Sequence, residues 1–188
     1  MKYLISYTSP EKHYIDFELL IENIDNENIV LQLPAWRPGR YELGNFAKNI
    51  KDFSVFDSSD NEIEFKKVSK DRWEIETKGK KSAVIKYKYY AAELNAGSTY
   101  LDQSQLYINP VNCALSLIGS ENSSYELEFD LPANFELYSS LEKKEFNKLF
   151  AENFEELVDS PIIASQSVQS RMLKIDEVDF HFCFQGEI

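Results

Sequence analysis

The chain has 188 residues, 43% hydrophobic and 14% aromatic, with 13 Phe and 11 Tyr. That length supports a sizeable buried core, and that aromatic content favours sheet over helix bundle. Its 32 acidic against 20 basic residues leave a net charge of −12, which disfavours nucleic acid and anionic membrane surfaces as partners.

The first residues, MKYLISYTSPEKHY, turn polar too soon for a signal peptide, and no apolar run is long enough to span a membrane. The expected location is the cytoplasm. Ile15, Phe17, Leu19 and Ile21 then share one face of a strand, opposite Tyr14, Asp16, Glu18 and Glu22. The same alternation recurs at Ile29/Leu31/Leu33 and runs into LPAWRPGRYELGNFAKNI (33–50). There Pro34 and Pro38 restrict φ, Gly39 can take the positive φ of a tight turn, and Trp36 and Tyr41 offer large surfaces to anchor it. This reads as a rigid aromatic elbow. Arg37 and Arg40 make a small positive patch able to bind a carboxylate, and Asn45 is placed to cap a short helical turn through Phe46 and Ile50.

Alternation resumes at Phe53/Val55, Ile63/Phe65, Trp73/Ile75 and Ile85/Tyr87/Tyr89, with turn residues between, so Lys51 to Ala91 reads as consecutive hairpins. A long polar-aromatic loop follows, Ser98-Thr99-Tyr100-Leu101-Asp102, then Asn109-Pro110. Loops of that kind on a rigid scaffold often carry function, and a plain surface connection is the competing reading. Cys113/Leu115/Leu117 and Tyr125/Leu127/Phe129 alternate again. Phe146, Leu149, Phe150, Phe154 and Leu157 fit a helical stripe, which leaves a longer helix from Glu142 open. The preferred reading is an extended piece at Lys148–Ala151 and one or two helical turns after Asn153, where Glu156 completes a capping-box spacing before the stop at Asp159-Ser160-Pro161. Val178/Phe180/Phe182/Phe184 forms the last strand. About ten such strands predict an all-β fold, an antiparallel β-sandwich with one or two short helical turns, forming a single domain over 1–188.

Few residues suggest chemistry within the chain. Cys113 and Cys183 read as two buried thiols of a reducing compartment, with a disulfide between them left open. Neither His13 nor His181 begins a His-Glu-x-x-His helix, so the only zinc set left open is a non-local one of His13, His181, Cys183 and a carboxylate. There is no Gly-x-Ser-x-Gly elbow and no phosphate-binding glycine loop. The pairs Asp16/Glu18 and Glu126/Glu128 read as solvated strand faces rather than as a glycosidase pair. No catalytic, metal or cofactor residue is assigned.

The chain resembles the N-terminal domain of the glycyl-aminopeptidase family of zinc metallopeptidases. Four pieces carry the likeness in order: the 33–50 elbow, similar to Leu-Pro-x-Trp-x-Pro-Gly-x-Tyr; Trp73 with Ile75; YKYYAAELNAGSTYLDQSQLYINP (87–110); and NFEELVDSP (153–161). An arginine often found just before the Tyr-Leu-Asp piece is replaced around Ala96-Gly97-Ser98. The resemblance implies an accessory domain preceding a thermolysin-like catalytic domain that carries the zinc. The chain itself ends near where that domain would begin and has no cofactor of its own. Expected partners are that catalytic domain and the peptide substrate, with Trp36, Arg37, Arg40, Tyr41, Tyr100 and Asp102 on the cleft or the domain interface. In this reading Asp102 meets a free α-amino group and an arginine meets a carboxylate.

Two competing expectations come from other classes. A stand-alone sandwich could bind carbohydrate or peptide on an aromatic platform, which requires an exposed Trp36 or an exposed row such as Tyr87 and Tyr89. An interaction domain would instead expose an apolar patch of several hundred Å² at the elbow end, and the excised domain could then homodimerise.

Overall fold

The computed structural model describes residues 1–37, 39–40 and 42–186. One layer is a seven-stranded sheet. Numbered along the chain, its strands lie in the order β13 (Glu142–Glu145), β14 (Lys148–Ala151), β11 (Tyr125–Phe129), β1 (Lys2–Ser6), β2 (Tyr14–Glu22), β7 (Ser82–Tyr90) and β4 (Ile50–Phe56). Two four-stranded sheets contribute to the same buried core. The first runs β10 (Ser116–Leu117), β3 (Asn28–Gln32), β6 (Arg72–Glu76), β5 (Phe65–Lys67); the second runs β12 (Glu136–Ser139), β15 (Ile162–Ser165), β9 (Gln105–Ile108), β8 (Tyr100–Leu101). A last ribbon pairs β16 (Val168–Ile175) with β17 (Val178–Gln185).

The long pair β2–β7 shows why alternation makes this architecture. Its register runs from Tyr14↔Tyr90 to Glu22↔Ser82. Ile15, Phe17, Leu19 and Ile21 enter the core beside Ala83, Ile85, Tyr87 and Tyr89. On the outer face Asp16 pairs with Lys88, and Glu18 lies 3.5 Å from Lys86. Lys2 of β1 meets Glu126 at 3.2 Å and Glu128 at 2.7 Å. The carboxylate pairs of the sequence are therefore ion-paired solvated faces, which contribute little to stability individually.

Aromatic stacking joins the layers. Trp73 of β6 stacks on Phe53 of β4 with centroids 4.9 Å apart, while within the seven-stranded sheet Phe17 stacks on its cross-strand neighbour Tyr87 at 5.1 Å. Between a 3₁₀ turn at Pro110–Asn112 and β10, the backbone of Cys113, Ala114 and Leu115 runs entirely buried. Buried main-chain groups outside a ladder need other partners. Here the Tyr3 hydroxyl accepts from the Leu115 N–H at 2.7 Å and donates to the Leu115 carbonyl at 3.1 Å. The Tyr87 hydroxyl donates to the Cys113 carbonyl at 2.6 Å.

The all-β sandwich-like class agrees with expectation, and several details differ. The described residues form 17 strands rather than about ten, because pairs as short as β8 and β10 are set by a neighbour and leave no alternation to read. One pair, β1 with β11, is parallel. Lys51–Ala91 is not a run of hairpins: β4 pairs with β7, while β6 sits in the other sheet between β3 and β5. Cys113 is buried, but in the crossing segment rather than in an alternating strand, and Cys183 is exposed; both thiols are free. Asn45 precedes a 3₁₀ turn at Phe46–Asn49 without a side-chain cap. The helix α1 (Phe154–Val158) is capped as expected by Asn153, which accepts from the Glu156 N–H at 2.9 Å, although Glu156 reaches back to the Glu152 N–H instead.

Tyr3→Phe leaves both buried main-chain groups of Leu115 without a partner. It is expected to lower unfolding free energy by about 2–3 kcal/mol in urea titrations, while Tyr90→Phe, at an exposed strand end, changes it by under about 0.5 kcal/mol. Burial pushes the Tyr3 and Tyr87 hydroxyls well above the ordinary phenol range. Unfolded tyrosines ionise near pH ~10, so this stabilisation is complete below that pH and declines as pH rises above it. The decline is expected to be shallower in Tyr3→Phe; an equal slope would contradict the assignment.

Candidate functional site

The elbow leaves the sandwich after β3. Leu33 is still buried, its N–H donating to the Asp71 carbonyl at 2.8 Å. The loop closes where the Gly44 N–H donates to the Ala35 carbonyl at 2.8 Å. Within it the Arg40 N–H donates to the Arg37 carbonyl at 3.3 Å, and Gly39 takes φ +82°, as its lack of a Cβ permits. The Trp36 indole N–H donates to the Arg40 carbonyl. Trp36 is 48% exposed, so it anchors the elbow through its N–H rather than through burial. The expected anchor Tyr41 lies outside the described residues, as does Pro38.

The two arginines are placed differently. Arg40 pairs with Glu42 at 3.1 Å in an exposed position. The Arg37 guanidinium lies directly over Gly97, where a methyl group would fall 1.8 Å from one of its nitrogens. The elbow thereby meets the loop after β7. Between them is a cavity of about 510 Å³, lined by Arg37, Arg40 and Lys48 with Glu42 and Glu93, and by Tyr89 and Tyr90 at the C-terminal end of β7. Asn112 also lines it and is 1% exposed. Its amide nitrogen donates to the Gly97 carbonyl at 2.9 Å, and its Oδ1 has no hydrogen-bond partner. Nearby the Asn49 amide donates to the Tyr89 hydroxyl at 3.1 Å. Three cations, two carboxylates and several amides around one cavity suit hydrogen bonding to a carboxylate or a peptide amide.

Tyr100 and Asp102 do not line this cavity. The Tyr100 hydroxyl donates to Asp102 at 3.0 Å, and Asp102 also accepts from the Ser104 N–H and hydroxyl, both at 2.7 Å, and from the Gln105 N–H at 2.9 Å. Partial burial pushes the Asp102 carboxyl up, but these donors outweigh it and hold the group below its ordinary range. Asp102 thus organises the turn into β9. His13 lies with Nδ1 2.5 Å from the Leu101 carbonyl, whereas His181 and Cys183 sit on the exposed ribbon. Among the described residues no three His, Cys, Asp or Glu side chains are grouped to hold a metal ion.

Sequence reading singled out Arg37 and Arg40 but missed Lys48, Glu93, Gly97 and Asn112 as their neighbours. The available signal was the replacement around Ala96-Gly97-Ser98 beside Asn109-Pro110. Gly97→Ala tests the packing. The clash is with the end of a flexible side chain, so stability is expected to change by under about 1 kcal/mol while the Arg37 guanidinium is displaced, read by its side-chain NMR signal. A larger loss of stability, or an unmoved Arg37 signal, would contradict this geometry.

The fold can be set beside known proteins. It matches a crystal structure of an aminopeptidase N family protein from Idiomarina loihiensis with TM-score 0.90 at 23% identity, covering 99% of this chain and 32% of that one. The chain thus spans about a third of that protein's length. No curated protein matches it. Among the described residues no helix is long and apolar enough to cross a membrane. The family model described as the peptidase M61 N-terminal domain matches residues 2–166, and the chain belongs to that family.

Proposed function

We propose that this chain is the non-catalytic N-terminal accessory domain of a cytoplasmic, glycyl-aminopeptidase-like zinc metallopeptidase, packed beside the catalytic domain and forming one wall of its substrate cleft. The family match over 2–166 carries the reading. It is supported by a fold shared with part of a longer chain described as an aminopeptidase N family protein. Zinc belongs to the catalytic domain in this reading, since His13 and His181 lie on separate elements and the described residues offer no three-ligand cluster.

The wall acts through exclusion and positioning. Arg37 and Arg40 present donors to a substrate carboxylate or peptide carbonyl from the elbow cavity, and Glu93 faces them as a partner for an amine. Trp36, half exposed on the elbow, supplies an apolar contact. Tyr100 and Asp102 shape the adjoining loop. The carbohydrate- or peptide-binding alternative loses its tyrosine row, since Tyr87 and Tyr89 are each only 2% exposed, and keeps Trp36 alone as an exposed aromatic.

Two measurements test the proposal. The purified chain, supplied with zinc and aminoacyl reporter substrates, is expected to show no turnover; turnover with one tightly held zinc per chain would refute the accessory role. In the longer polypeptide, Arg37→Ala is expected to raise KM about five- to tenfold with kcat unchanged, as for a group that binds ground and transition state alike. Unchanged kinetics would remove Arg37 from the cleft.

A further inference from the structure

The ribbon β16–β17 stands apart from the core: among the described residues its strands pair only with each other. The pairs Leu173↔Phe180 and Ile175↔Val178, with Arg171↔Phe182 and Gln169↔Phe184, lie on one face. On it Leu173, Ile175, Val178, Phe180 and Phe182 are 43% to 56% exposed. The sequence pattern is the one that elsewhere in this chain buries a strand. The opposite face is more polar and carries Ser170, Lys174, Asp179 and His181, with Met172 as its exposed apolar residue. An isolated two-stranded ribbon is marginal in water, and an exposed apolar face of this kind marks a contact surface.

We propose that this face is an intramolecular docking surface, covered by an apolar face of the catalytic domain that follows in the same polypeptide. The inference rests on the accessory-domain reading and adds the residues that make the contact. Two observations select this occupant. The family match ends at residue 166, before the ribbon, yet the structural match includes nearly the whole chain and this chain is 32% of the matched one. A protein of this fold that contains the ribbon therefore has about two thirds of its length elsewhere, available to cover it. The second observation is area. Five or six apolar side chains at about half exposure offer roughly 500 Å², short of the ~800 Å² per partner typical of a stable complex between free proteins. A tethered domain needs less, because the linker supplies a high effective concentration. A second copy of this chain lacks that advantage and brings another −12 of charge.

Hydrogen exchange on the longer polypeptide and on the 188-residue chain tests this. Amides of 168–185 are expected to exchange at least about 100-fold more slowly in the longer polypeptide. Phe180→Ser combined with Phe182→Ser is expected to abolish most of that difference while leaving β2 and β7 amides unchanged. Equal ribbon exchange in both proteins, with a downstream catalytic domain present, would overturn the docking surface and leave the accessory-domain reading standing. A reading frame without any further domain would remove both. Sedimentation of the 188-residue chain is expected to show a monomer; a dimer dissolved by the same double substitution would overturn the proposal in favour of a second copy.

Discussion

Tyr3 and Tyr87 reach from the seven-stranded sheet to the backbone of Cys113 and Leu115, which passes through the interior with no strand partner of its own. An unpaired buried amide or carbonyl is costly, so these two hydroxyls allow a non-ladder segment to cross the core. The crossing segment in turn fixes Asn112 beside Gly97, where its amide holds the loop that Arg37 covers. The elbow cavity therefore depends on a phenol–backbone network inside the sandwich as well as on the prolines and glycine of the elbow.

Charge is distributed in keeping with that arrangement. The outer strand faces neutralise their carboxylates against lysines across the sheet, as Lys2, Lys86 and Lys88 do. At the elbow, three basic side chains of a strongly acidic chain gather around one cavity with two carboxylates. Concave walls of low dielectric strengthen such local fields, so an acidic domain can still present donors to an anionic or polar group at one end.

What could be read in advance follows from which physical rule leaves a local trace. Period-two alternation identified β2, β6, β7 and β11 because each buries one face along its own length, whereas at β14 the apolar residues also fit a helical stripe. The Asn153–Glu156 spacing likewise located the helix, since a cap is a local device. The partner of Arg37 was hidden because Gly97 matters through the side chain it fails to have, at a position remote in sequence. Asn112 was hidden because an unpartnered buried oxygen is visible only in three dimensions. The last ribbon shows the limit of periodicity most plainly. The row Val178, Phe180, Phe182 and Phe184 does share a face, but alternation says nothing about what covers it, and among the described residues Val178, Phe180 and Phe182 stay exposed.

In the proposed arrangement this scaffold shapes a cleft whose chemistry resides in a neighbouring domain. A crystal structure of the longer polypeptide with a non-hydrolysable peptide bound is its most direct test. The Arg37–Arg40 cavity is expected to open onto the peptide, with the metal held wholly by residues of the other domain. A cavity facing bulk solvent away from the peptide, or a metal ligand drawn from this sandwich, would contradict it.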